Sequence, residues 1–193
     1  KGGDRMTPLL AFVLGGAAMV ALMALRARRF GFAGQAPAEY AATTPAIDIR
    51  THLGGPILCE GVIYGPTGRV VSRFVADMEG AWQGDTGTLS EHFRYDSGSE
   101  QHRAWRFTLG SGGRIIGEAD DLVGRAEGRI SGSTICLNYR IRLTKEAGGH
   151  VLDVTDWMYL LENGTIINRS QMRKFGLTVA ELVATMRPAE PAA

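Results

Sequence analysis

The residues of this chain that could do chemistry are few, and the most telling stand on stretches that are otherwise apolar. In Thr88 to Tyr95, the apolar Leu89, Phe93 and Tyr95 alternate with Thr88, Ser90, His92 and Arg94, and Glu91 falls on the apolar side. Arg103 falls in the same way on the side of Trp105 and Phe107. A turn near Ser97 would make a hairpin of these two runs and bring Glu91 near Arg103. Enclosed together, a glutamate and an arginine satisfy each other's charge. The pair reads either as a polar anchor for a ligand headgroup or as a structural salt bridge. Asp156 lies on the side of Leu152, Val154, Met158 and Leu160, where a carboxylate is either part of such a site or a hydrogen-bonded structural group.

Other candidate motifs are weaker. Asp120 and Asp121, in GEADDLVG, are a carboxylate pair of the kind that acts as acid and base or binds a cation. On a strand, neighbouring residues point to opposite faces and cannot share a centre, although a turn would relax that objection. Solvation at a turn or strand end is the plainer reading. Gly117, Gly124, Gly128 and Gly132 lack the GxxxxGK[ST] pattern of a phosphate loop. His52, His92, His102 and His150 are scattered without an HExxH or other ligand spacing. Cys59 and Cys136 cannot form a zinc site by themselves, and they read as one disulfide or two buried thiols. No catalytic motif is present, and neither a cofactor nor a metal is predicted.

The elements that must position these residues are strands. Phe74, Ala76 and Met78 share a face with Val70 and Ser72, opposite Arg73, Asp77 and Glu79, although Val71 and Val75 blur the alternation. Ile135, Leu137, Tyr139, Ile141 and Leu143 alternate with Cys136, Asn138, Arg140 and Arg142. Between such runs stand Gly65-Pro66-Thr67-Gly68, Asp96-Ser97-Gly98, Gly110-Ser111-Gly112-Gly113 and Asn163-Gly164, the last a type I′ hairpin signal. About eight or nine short strands at regular spacing predict an all-β antiparallel barrel or sandwich, and the barrel is favoured because consecutive hairpins without long crossovers close most simply that way. Thr178 to Met186 reads as a last strand or a short helix.

Ahead of the barrel, Thr7 to Leu25 is nineteen uncharged, mostly apolar residues followed by Arg26, Arg28 and Arg29. A helix of that length is about 28 Å long, close to a bilayer's hydrocarbon thickness. The run is longer than a usual signal-peptide core and the arginines are a poor cleavage context, so an uncleaved single-pass membrane anchor is expected. Met6 is a possible start of the chain. The arginines point to a cytoplasmic domain by the positive-inside rule. The expected organisation is an anchor over 1–29, a Gly/Pro/Ala-rich linker over 30–46, the barrel over 47–187 and a tail over 188–193. A net charge of +1 indicates no basic surface for nucleic acid.

Four phrases carry a family resemblance: FVADMEGAWQGDTGTLSEHFRYDSG from Phe74, HRAWRFT from His102, GEADDLVGRAEG from Gly117 and DWMYLLENGTIINRSQMRKFG from Asp156. Together, over Tyr40 to Val183, they resemble a proteobacterial family catalogued as domain of unknown function 3833. The resemblance implies a lipocalin-like fold, and members commonly look like lipoproteins facing the periplasm; for this chain a single-pass place in the bacterial inner membrane is expected. This chain departs from that pattern in its uncleaved-looking helix and in having no cysteine at the end of the run. No catalytic residues come with the family.

The leading expectation is a membrane-anchored, non-catalytic barrel that binds a lipid or other apolar small molecule. Trp105, Phe107 and Tyr139 would line its cavity, with Glu91 and Arg103, and Asp156 on the same interior, fixing a polar end. A second expectation is a structural or assembly subunit of a membrane complex, since Gly15, Gly16, Ala17, Ala18, Ala21 and Ala24 permit close helix approach. A third is a lipid-modifying enzyme or its accessory, with Asp120, Asp121 or Asp156 as acid or base.

Overall fold

Pro8 in the first turn needs no amide partner, and the Thr7 side chain accepts the amide of Leu10, so a helix starts cleanly there. This helix, α1 (Pro8–Phe30), keeps its large apolar side chains exposed, Phe12 and Leu22 among them. Its stretch Pro8–Arg26 is long and apolar enough to cross a bilayer. The computed structural model describes residues 7–145 and 147–189, so Met6 and residues 190–193 of the expected tail lie outside it. The chain divides between Ala36 and Pro37 into two compact units.

The second unit holds ten strands: β1 (Gly55–Tyr64), β2 (Val70–Gln83), β3 (Thr86–Tyr95), β4 (Glu100–Leu109), β5 (Arg114–Glu118), β6 (Ala126–Ser131), β7 (Thr134–Arg142), β8 (Val151–Leu160), β9 (Ile166–Lys174) and β10 (Leu177–Pro188). Each pairs antiparallel with its neighbour in sequence, and β10 pairs with β1, closing the barrel. The count exceeds the expected eight or nine. The short β5 and β6 are separate strands, and the ambiguous segment around Thr178 is a strand because β1 and β9 offer it ladders on both sides. Closure leaves no exposed sheet edge.

The alternation read from sequence sets the inner face. Phe74, Ala76, Met78, Leu89, Trp105, Phe107, Ile115, Ile135 and Leu137 form the core, while Val71 and Val75 face outward. Register matters most across β1 to β4, where Ile57 pairs with Met78, Met78 with Glu91, and Glu91 with Arg103. That row carries the polar pair into the interior.

One helical turn, α2 (Ile49–His52), packs against the β2–β3 turn. Asp48 caps it by accepting the Arg50 amide, and Ile49 and Leu53 are fully buried. Trp82 donates from Nε1 to the Leu53 carbonyl at 2.9 Å, and Arg50 reaches the Gly84 carbonyl and Asp85. Glycine is required at position 80, where a Cβ would stand 1.9 Å from the Leu53 carbonyl oxygen.

Part of the segment whose composition reads as linker is packed on the barrel. Tyr40 lies on Trp157 at 5.3 Å and on Tyr159 at 5.9 Å, and the Thr43 hydroxyl bonds that of Ser133. Both faces of Thr134 to Leu137 and of Asp156 to Met158 are buried, which is where period-two reasoning loses its grip. Cys136 is buried on the outward side and Cys59 on the inward side, and both are free thiols. The β8–β9 turn also differs from expectation. Gly164 has φ 82°, the Gly164 amide donates to the Leu161 carbonyl, and Asn163 is not left-handed, so this is a type I turn ending in glycine. The type I′ geometry occurs instead at Phe175-Gly176, with φ of 52° and 80° between the paired Lys174 and Leu177.

Candidate ligand-binding site

The β3–β4 hairpin brings Glu91 and Arg103 together inside the barrel, with Glu91 Oε2 3.6 Å from Arg103 Nη1. The turn after β5 adds a carboxylate: Arg103 Nε donates to Asp121 Oδ2 at 2.8 Å. Asp120, its neighbour, is exposed and meets Arg106 outside. The acidic pair therefore splits, and only one member reaches the interior. The Arg103 guanidinium also lies 4.2 Å above the Trp105 ring, which fixes its plane. Three buried polar atoms in this group have no hydrogen-bond partner: Glu91 Oε2, Arg103 Nη2 and Asp121 Oδ1.

A second polar cluster sits on β7, β8 and β9. Asp156 Oδ1 accepts from Ser170 Oγ at 2.7 Å and from Asn168 Nδ2, while Tyr139 donates to Oδ2 at 3.5 Å. Asp156 is thus a hydrogen-bonded carboxylate held by three side chains. Tyr139 stands edge-on to Trp105 at 5.3 Å, and Phe107 stacks on Trp105 at 5.3 Å. The aromatic side chains bridge the two polar clusters.

Electrostatics follows from one guanidinium facing three interior carboxyls. Burial pushes the Glu91 carboxyl up to about 7, against the pull of Arg103 and with the push of Asp156 and Asp121. Burial also raises Asp156, its hydrogen bonds from Ser170 and Asn168 only partly offsetting it. Burial works against the Arg103 charge, yet the facing carboxylates of Glu91 and Asp121, with the hydrogen bond to Asp121, outweigh it and keep Arg103 protonated. The Tyr139 hydroxyl stays neutral, raised well above the usual tyrosine range chiefly by burial.

An open cavity of about 710 Å³ follows the β1–β4 wall. Its lining combines inward-facing Ile57, Met78, Glu91, Arg103 and Asp121 with outward-facing Asp77, Ser90, His92, His102 and Ala104. Glu91 and Arg103 thus stand at a cavity, whereas Trp105, Phe107, Tyr139 and Asp156 belong to the packed interior beside it. Asp121, Ile57 and Met78 also line it, and sequence reading did not select them as site residues. The signal for Asp121 was present in the turn reading of the acidic pair.

Folding also assembles a cluster that spacing along the chain does not suggest. His92 and His102 pair across β3 and β4 with rings stacked at 4.1 Å, and His92 Nε2 lies 2.9 Å from Glu100 Oε2. The ligand atoms of these three side chains lie within 4.8 Å of one another, so they could hold a divalent metal ion. The hairpin register that pairs Glu91 with Arg103 pairs His92 with His102 as well, and that was the available signal.

A closed ten-stranded antiparallel barrel with a charged interior site is a lipocalin-like architecture. Solved structures share it, among them S-type phycobiliprotein lyase CPES from Guillardia theta (TM-score 0.55, 5% identity, covering 82% of this chain and 99% of that one) and Rv2717c from M. tuberculosis (TM-score 0.53, 16% identity, covering 77% and 99%). At these identities the likeness establishes the fold alone. The model of the family described as protein of unknown function (DUF3833) matches residues 28–188, and the chain belongs to that family. No curated protein sequence matches significantly.

Proposed function

We propose that this protein is a membrane-anchored, non-catalytic barrel that binds a lipid or other apolar small molecule. The observation that carries the reading is the open cavity along β1 to β4, whose lining includes the buried Glu91 and the part-buried Arg103 and Asp121. Desolvating charged groups costs several kcal/mol each, by order of magnitude, so such groups beside an open cavity suit the polar end of a bound molecule. Apolar side chains at the same cavity, Ile57 and Met78, suit its remainder. Helix α1, with its exposed apolar surface, supports a tether that keeps the barrel close to lipid.

Native mass spectrometry of the full chain, gently released from detergent, tests this. A discrete added mass of small-molecule size, lost in the Glu91→Gln/Arg103→Gln double variant, is the expected result. A bare chain, or one that arrives only with partner subunits, would move the reading to an assembly role.

A further inference from the structure

We propose that the outer face of the β3–β4 hairpin binds a divalent transition metal ion of the zinc class, held by His92, Glu100 and His102 with one coordination position open to the cavity. Strand register builds the ligand set. His92 and His102 stand directly opposite each other in the ladder, an arrangement that brings Cβ atoms on one face to about 4.5–5.5 Å. Their rings stack at 4.1 Å, 8° from parallel. Glu100 is the diagonal neighbour of His92, and its Oε2 lies 2.9 Å from His92 Nε2. One ligand atom from each of the three side chains lies within 4.8 Å of the other two. Tetrahedral bonds to zinc would set them roughly 3.3 Å apart. Side-chain rotation supplies that contraction, because none of the three residues is buried. Glu91 and Arg103, next along each strand, turn to the interior, so this site is independent of them.

Donor chemistry selects the ion. Two imidazoles and one carboxylate suit zinc and its transition-series neighbours, whereas magnesium and calcium take oxygen ligands. Charge agrees with that choice. Arg94 faces Glu100 across the ladder, yet its guanidinium bonds Asp77, the register partner of His92 on β2. The Glu100 carboxylate turns to His92 instead. Asp77 and Glu100 against that one guanidinium leave the patch around the imidazoles net negative. The open position follows from the next rung of the ladder, where Ser90 pairs with Ala104. Both small side chains line the same cavity as His92 and His102, and neither is a strong zinc ligand. A water or a small-molecule donor group in the cavity would complete the shell. Three protein ligands and one exchangeable position are what allow bound zinc to polarise a water or a carbonyl.

Zinc titrated into the metal-free full chain in dodecyl maltoside, followed by isothermal titration calorimetry, tests the site. We expect one ion per chain, not displaced by excess magnesium. Groups outside the ligand shell already change metal affinity by about 10–100-fold, so His102→Ala and Glu100→Gln should each weaken binding at least about tenfold. Both side chains are exposed, so neither substitution threatens the core. His150→Ala removes a histidine that meets Lys174 elsewhere on the barrel and should leave zinc affinity unchanged. Cobalt in place of zinc then reports the shell: intense visible absorption marks four-coordination, and a spectral shift on adding azide marks the exchangeable position. A wild-type chain that binds no zinc, or variants at His102 and Glu100 that bind it as well as wild type, would overturn the metal site. A strongly coloured cobalt form that azide leaves unchanged would overturn the open position.

Discussion

Replacing Glu91 by glutamine should stabilise the barrel at pH 8 and leave it nearly unchanged at pH 4.5. Burial holds the Glu91 carboxyl at about 7, against 4.5 for an ordinary glutamic acid. The folded protein therefore keeps a proton there that the unfolded chain has lost, so wild-type stability falls as pH rises from 4.5 to 7 and then levels off. The gap of about 2.5 on the pH scale, at about 1.36 kcal/mol per pH unit, sets a penalty of roughly 3 kcal/mol above pH 7. Asp156, raised by the same cause, acts in the same direction in both proteins and cancels in their difference. Glutamine keeps the size of the side chain, and Arg103 keeps its bond to Asp121. Urea unfolding of the full chain in dodecyl maltoside, followed by fluorescence of the buried Trp105 and Trp157, measures the difference at pH 4.5, 6, 7 and 8. We expect the variant to gain about 2–3 kcal/mol at pH 8 and almost nothing at pH 4.5. A variant less stable than wild type at pH 8 would refute the reasoning, because the ionised Glu91–Arg103 pair would then contribute more than its burial costs.

Trp105 is buried against Phe107, Tyr139 and Arg103, so Trp105→Ala should cost about 3–5 kcal/mol in the same unfolding assay, and a loss under 1 kcal/mol would mean that the interior does not pack on it. Gly80→Ala places a Cβ against the Leu53 carbonyl and should cost about 1–3 kcal/mol, while Gly15→Ala, with open space around it, should be neutral within about 0.5 kcal/mol. An equal effect of the two on urea midpoints would count against the packing of α2 on β2. Burial pushes the Cys59 thiol up to about 12 and the Cys136 thiol up to about 11, so neither should react with iodoacetamide at pH 8 until the chain unfolds. Mass spectrometry showing prompt alkylation of the native protein would contradict their burial.

Much of the barrel was legible because most of its sheet obeys a simple rule. Where one face meets the core and the other meets water, side chains alternate, and β2, β3 and β4 read correctly along with the inward placement of Glu91 and Arg103. The rule fails where both faces are covered, as at Cys136 and Trp157. It is also silent for strands as short as β5, where too few residues repeat. At the candidate site the same limit holds. Asp121 joins Arg103 because a turn, not a strand, presents it, and His92, Glu100 and His102 meet through pairing across a hairpin.

Composition and periodicity thus determined by themselves that there is an apolar helix of membrane-spanning length, a succession of antiparallel strands with one apolar face, and a Glu–Arg pair turned inward, since each follows from local spacing along the chain. Only the tertiary structure decided that β10 closes on β1, that Tyr40 covers the outside of β8, and that the guanidinium of Arg103 is shared among carboxyls from different strands and turns. Those outcomes depend on which distant segments come together, and local periodicity carries no information about the partner a face will meet.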